Sequence, residues 1–117
     1  MGAEVLLKDE KDGRLTLTLN RPEVMNSLNF EMLYALQDQI GAVRFNTDIR
    51  VVIITGTGEK AFCAGADLKE RATLTPIQVK EYITTIRNLF AAIEGLNKPV
   101  IAAVNGVALG GGTELAL

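Results

Sequence analysis

The sequence contains no histidine. That removes serine–histidine and cysteine–histidine nucleophilic pairs, histidine-ligated metal sites and histidine-ligated haem. Acid/base chemistry here must come from carboxylates, lysine, tyrosine or a thiol. There is one cysteine, so no internal disulfide can form, which is compatible with a reducing compartment. Excess positive charge is also lacking: 12 Lys and Arg face 14 Asp and Glu, for a net charge of -2. No basic patch stands out, which argues against nucleic acid as a partner. No apolar run approaches the roughly 20 residues that cross a bilayer. The opening MGAEVLLKDEKDG has neither a secretory apolar core nor the composition of a transit peptide. Leu6 stands where a myristoylation signal needs Ser or Thr. A soluble protein of the cytoplasm, with no membrane partner, is the expectation.

What is present is an ordinary apolar content, 48%, in 117 residues, enough for one domain with a core. A chain of this size buries a smaller share of its surface than a longer one and can need a partner. In RLTLTLN, Leu15, Leu17 and Leu19 alternate with Thr16 and Thr18, the pattern of a half-buried strand. Asp12-Gly13 before it is a hairpin turn signal, so the chain opens with a β-hairpin. RPEVMNSLN reads as a loop, with Asn29 placed to cap a helix over about 30–44. Phe30, Leu33, Leu36, Ile40 and Val43 recur at helical spacing there. RVVIITG is a continuous apolar run, as in a strand covered on both faces of a parallel sheet.

The stretch TGTGEKAFCAGADLKERATLT reads as irregular. A second helix starts after Thr75, with Pro76 in its first turn, Gln78 completing a capping box and Gly95 at its end. Its stripe is Val79, Tyr82, Ile83, Ile86, Leu89, Phe90 and Ile93. VIAAVNG reads as another buried strand, then a glycine-rich loop leads into TELAL, one turn of a further helix. The order is α/β, without linker or low-complexity segment. Because one turn of helix is not stable by itself, the sequence reads as a fragment of a longer chain.

GTGEKA, residues 56–61, fits a dinucleotide fingerprint, but those glycines must open a helix, and EKAFCAGAD has no helical periodicity. The two glycine loops are more informative. Around Gly65 and at Gly110–Gly112, backbone N–H groups can face a ligand with no side chain in the way. Two such groups converging make an oxyanion hole, and a helix start after the triplet would reinforce it. Glu114 then lies in the first turn as a general acid or base, or as an ordinary carboxylate favourable to the helix dipole. Cys63 reads as a small packing residue, Asp67 as a turn or cap residue, and Lys69, Glu70 and Arg71 as a solvated face.

LNRPEVMNSLNFEML, VVIITGTGEKAFCAGADLKE and KPVIAAVNGVALGGGTELAL together resemble the enoyl-CoA hydratase/isomerase (crotonase) superfamily, over essentially the whole chain. FCAGADLKERA looks like hydratases of the methylglutaconyl-CoA type. The resemblance implies a spiral of ββα units, of which residues 1–117 are the N-terminal portion, without the C-terminal part that builds the oligomer. It implies an acyl-CoA thioester as substrate, coenzyme A being part of the substrate rather than a cofactor, and no metal. The oxyanion hole would be the backbone N–H groups of Ala66 and Gly111. Ala64, Ala66, Asp67, Leu68 and Lys69 would line the CoA pocket, with Ala64 and Leu68 near the adenine and Lys69 within reach of phosphates. Glu23, Val24 and Met25 would flank the nucleotide portion.

Glu114 matches the first of two glutamates that hydratases use, which favours adding water to a trans-2-enoyl-CoA. By the family's spacing the second lies beyond Leu117, so these 117 residues by themselves are expected to hydrate little. Isomerisation, decarboxylation, thioester hydrolysis and CoA binding without turnover are the alternatives. A full-length protein would be a homo-oligomer, trimeric or hexameric. NFEMLYALQDQIGAV holds no lysine, so the RNA binding of some methylglutaconyl-type hydratases is not carried over.

Overall fold

Strands β1 (Leu6–Lys11) and β2 (Arg14–Leu19) pair antiparallel, closed by Asp12 and Gly13 in a two-residue turn. Both turn residues have positive φ, 51° and 80°, the primed geometry that matches strand twist. The computed structural model describes residues 4–108. Leu15, Leu17 and Leu19 are buried and Thr16 and Thr18 half-buried, as the alternation predicts.

Helix α1 (Phe30–Arg44) begins where the Asn29 side chain accepts a hydrogen bond from Met32 N–H at 2.9 Å. It buries Met32, Leu33, Leu36, Ile40 and Val43. The Lys98 ammonium closes its far end by donating to the carbonyls of Val43 and Asn46. Strand β3 (Val51–Gly56) runs parallel to β2, and β5 (Val100–Ala103) runs parallel to β3, giving the order β1-β2-β3-β5.

The expectation that β3 is covered on both faces and that β5 is a buried strand needs correcting. Val52 and Ile54 are buried, but Val51 and Ile53 are only half-buried, and Ile101 is 52% exposed. Among the described residues the fully buried positions of β2 and β3 alternate and so fall on one face of this sheet, and an apolar run does not say how many faces have a neighbour.

The stretch expected to be irregular also contains structure. Strand β4 (Ala61–Cys63) is fully buried and pairs parallel with β6 (Val107–Ala108) in a second, two-stranded sheet. Helix α2 (Leu68–Arg71) is a single turn. Three or four residues are too few for a period to register in the sequence.

Helix α3 (Pro76–Glu94) starts on the expected capping box, with Thr75 Oγ1 accepting from Gln78 N–H at 3.3 Å and Gln78 Oε1 accepting from Thr75 N–H at 2.9 Å. Gly95 ends it without turning left-handed, at φ -83°. Tyr82 and Leu89 of its stripe are buried, whereas Ile83 is exposed. Thr85, absent from the expected stripe, is buried with its hydroxyl donating to the Glu81 carbonyl. The chain therefore runs ββα, ββαα, ββ, the expected α/β succession of ββα units.

Candidate active site

The site grows from two loops, one following β2 and one following β4. In the first, Pro22 presets the backbone of a single 3-10 turn, Pro22–Val24. Met25 and Asn26 then both take left-handed conformations, each at φ 55°. Asn tolerates that region because its short polar side chain can bond nearby backbone. Asn26 is fully buried. Its Oδ1 accepts from Arg21 N–H at 2.8 Å, and its Nδ2 donates to the carbonyls of Thr57 and Ala61 at 3.2 and 3.0 Å.

In the second loop, Gly65 sits at φ 92°, a conformation that a side chain would strain. Its N–H points back to Cys63 Sγ at 3.4 Å. Burial pushes the Cys63 thiol above its ordinary value, and the Gly65 N–H offsets only part of that. Cys63 is thus a neutral, buried thiol, in line with a packing role.

The two loops are laced together. Ala64 N–H donates to Met25 O at 3.0 Å, and Leu28 N–H donates to Gly65 O at 2.6 Å. Asp67 N–H donates to Leu28 O at 3.1 Å. Leu28 and Ala66 therefore form an isolated parallel bridge. In such a bridge one residue uses its own N–H and C=O, while the opposite residue is bonded through its two neighbours. Leu28 is the first kind and Ala66 the second, so the N–H of Ala66 is turned away from Leu28. It has no hydrogen-bond partner among the described residues.

Asp67 is fully engaged. Its Oδ1 accepts from Lys69 and Glu70 N–H, each at 3.1 Å, as the cap of α2. Its Oδ2 accepts from Arg21 Nη2 at 2.9 Å. Burial alone would raise this carboxyl; the Glu70 N–H, the Arg21 guanidinium and the Lys69 N–H outweigh it and hold the group below its ordinary value. A carboxylate so committed anchors the turn, in line with the cap expected for it. Tyr82, reaching in from α3, donates its hydroxyl to Leu28 O and accepts from Asp67 N–H at 3.4 Å. Burial, and secondarily the Glu70, Asp67 and Cys63 groups nearby, raise the Tyr82 phenol against only the Asp67 N–H, so it stays protonated as a donor. Phe30 meets the Tyr82 ring edge-on, with centroids 5.1 Å apart.

The expected pocket residues are thus partly gathered. Glu23 and Met25 line an open groove of about 500 Å³, walled opposite by Thr57, Lys60 and Ala61. Val24 is half-buried and is not among the residues that line it. Ala64 is joined to that rim through Met25, and Ala66 and Asp67 through Leu28. Leu68 is 72% exposed and Lys69 is exposed beside it, so both present their side chains to solvent just past the turn. Glu70 corrects the expectation of a wholly solvated face: its Oε1 accepts from Phe30 N–H at 2.8 Å, helping to cap α1. Gly111 and Glu114 lie outside the described residues, and with them the expected second half of the oxyanion hole.

The dinucleotide reading of residues 56–61 fails structurally, because that segment passes from β3 into β4 and opens no helix. No cluster of three or more metal-ligating side chains occurs among the described residues. No helix among them is long and apolar enough to cross a membrane. Arg21, Asn26 and Tyr82 went unremarked as site residues in the sequence. Arg21 and Asn26 sit in a segment read only as a loop, and Tyr82 was absorbed into an apolar stripe.

Residues 9–117 match the family model described as enoyl-CoA hydratase/isomerase. The chain is 40% identical to the crotonyl-CoA hydratase of Syntrophomonas wolfei, over 100% of this chain and 45% of that protein. It is also 40% identical to the human mitochondrial methylglutaconyl-CoA hydratase, over 95% of this chain and 33% of that protein. The crystal structure of an enoyl-CoA hydratase from Bacillus anthracis superimposes with a TM-score of 0.93 at 46% identity, covering 96% of this chain and 44% of that one. The chain spans less than half the length of these relatives.

Proposed function

Because the chain belongs to the enoyl-CoA hydratase/isomerase family, we propose that its site binds an acyl-CoA thioester and hydrates a trans-2-enoyl-CoA. The observation that carries this reading is the Ala66 N–H, turned out of the Leu28 bridge and unpartnered among the described residues. With the Gly111 N–H it would hold the thioester oxygen as that oxygen gains enolate charge. Donors fixed in place before the charge develops need no reorganisation when it does. Glu114 would act on the water whose hydroxyl bonds to the β-carbon while a proton is delivered to the α-carbon. A second carboxylate is needed for the other proton, and in this reading it comes from the remainder of a longer chain.

Glu23, Met25, Ala64, Leu68 and Lys69 would receive the CoA portion. The exposed Leu68 and Lys69 side chains suit an adenine face and a phosphate respectively. A homo-oligomeric enzyme of the cytoplasm is part of the same proposal; the exposed Ile101 and Val104 support burial against further protein.

The test uses the full-length protein that carries these residues, with crotonyl-CoA as substrate and loss of the conjugated enoyl absorbance as readout. Turnover to the 3-hydroxyacyl product is expected, and Glu114→Gln should lower kcat by about 10²–10⁴. Thioester binding with double-bond migration, decarboxylation or CoA release in place of hydration would overturn the hydratase reading in favour of another enolate reaction. Binding with no turnover would point to a non-catalytic CoA binder. The 117 residues alone, supplying one of the two carboxylates, are expected to show little hydration.

A further inference from the structure

Arg21 touches both sides of the Leu28–Ala66 bridge. Its Nη1 donates to Ser27 O at 2.8 Å, with Ser27 Oγ at 3.4 Å, and its Nη2 donates to Asp67 Oδ2 at 2.9 Å. Ser27 directly precedes Leu28, and Asp67 directly follows Ala66. One planar guanidinium therefore spans the backbone before one bridge residue and the side chain after the other. The pair is only 14% and 12% exposed, so water screens it weakly. The Arg21 backbone is held as well, its N–H donating to the buried Asn26.

We infer that Arg21 is a positioning residue for the Ala66 N–H, acting through Asp67 and Ser27 rather than on the substrate. The inference rests on the reading of that N–H as an oxyanion donor. The peptide between Gly65 and Ala66 can pivot about Gly65, which tolerates many conformations. The bridge hydrogen bonds hold it on the Leu28 side, and Tyr82 reinforces Leu28 O from behind. Without the clamp, the turn keeps its cap on α2 but loses the tie that sets its distance from residues 27 and 28. An oxyanion donor is sensitive to such a change, because its effect depends on reaching the oxygen's position in the transition state.

The experiment uses the full-length enzyme with two substitutions. Arg21→Lys keeps a cation but cannot reproduce the planar fork. Asp67→Asn keeps a good helix cap while removing the charge partner. For each, kcat for hydration is expected to fall about tenfold to a hundredfold while KM moves far less, since a small misplacement near the chemistry can cost about 10² in rate.

Infrared spectra of a bound enoyl-CoA, isotope-labelled at the thioester carbonyl, give a readout that stability alone does not move. Hydrogen bonding lowers the carbonyl stretch in the unsubstituted enzyme, and both variants should lose part of that lowering. No lowering in the unsubstituted enzyme would sink the oxyanion reading itself. A normal lowering there, with both variants retaining it and full kcat, would overturn the role of Arg21 and leave the oxyanion reading standing. A rise in KM at unchanged kcat would also overturn it, by making Arg21 a binding residue. If Arg21→Lys does not fold, Asp67→Asn decides by the same criteria.

Discussion

The inner face of the sheet and the rim of loops at its end are held by different forces. On the inner face, Leu15, Leu17, Leu19, Val52 and Ile54 share one core cluster with the buried residues of α1, with almost no exposed area and no polar side chain among them. On the rim, residues 21–28 and 61–67 are joined by directional bonds: Asn26 to three backbone groups, Arg21 to Ser27 and Asp67, Tyr82 to Leu28. Apolar burial is non-directional and tolerates changes of shape, so it stabilises without specifying where one N–H points. Directional bonds do specify it. The difference teaches that a variant of this protein can be unstable with a sound site, or stable with a displaced one.

The largest effect expected is on the apolar side. Leu17 is fully buried, next to Ile54 across the parallel register. Leu17→Ala should destabilise by about 4 kcal/mol through lost transfer energy and the cavity left behind. Chemical denaturation checks this, and kcat per folded molecule should be unchanged. A fall in kcat as large as the fall in stability would break the comparison.

Asn26→Ala comes next, at about 3 kcal/mol, because it leaves buried partners unpaired and puts alanine into a left-handed conformation. Here stability and kcat should fall together, since the Asn26 side chain ties residue 21 to residues 57 and 61.

The apolar side was also the more legible one in the sequence. The Leu15-Leu17-Leu19 alternation, the Asp12-Gly13 turn and the α1 stripe from Leu33 to Val43 are local patterns that the structure realises, whereas of the α3 stripe it buries Tyr82 and Leu89 and leaves Ile83 exposed. The rim is not local. Arg21 and Asp67 are 46 positions apart, and Asn26 and Ala61 are 35, so nothing in the spacing pairs them. Strand β4 has three residues and α2 four, below the length at which a period is visible. The apolar run in β3 announced burial but not that one face would be less covered than the other. The oxyanion expectation at Ala66 came through the long motif FCAGADLKE, as a resemblance, and the bridge supplies a physical reason for the direction of that N–H. Glu70 shows the converse: a residue read as solvated closes α1 from 40 positions away.

The smallest effect expected is confined to acid. The Asp67 carboxyl lies below its ordinary value of 3.8, so the folded state favours its charged form. A group depressed in this way stabilises the fold above its unfolded pKa, and that contribution is lost as pH falls through the folded one. Protonation would remove the acceptor for Arg21 and weaken the cap that Lys69 and Glu70 N–H groups now share. Melting temperature measured from pH 6 down to about 2 should therefore fall less steeply in Asp67→Asn, whose side chain cannot titrate, than in the unsubstituted protein. Leu17→Ala, which touches no ionisable group, should lower the whole curve and leave its acid slope unchanged. Equal acid slopes in the unsubstituted protein and Asp67→Asn would mean that the rim gains nothing from this charge, and that the Arg21 fork holds Asp67 by geometry alone.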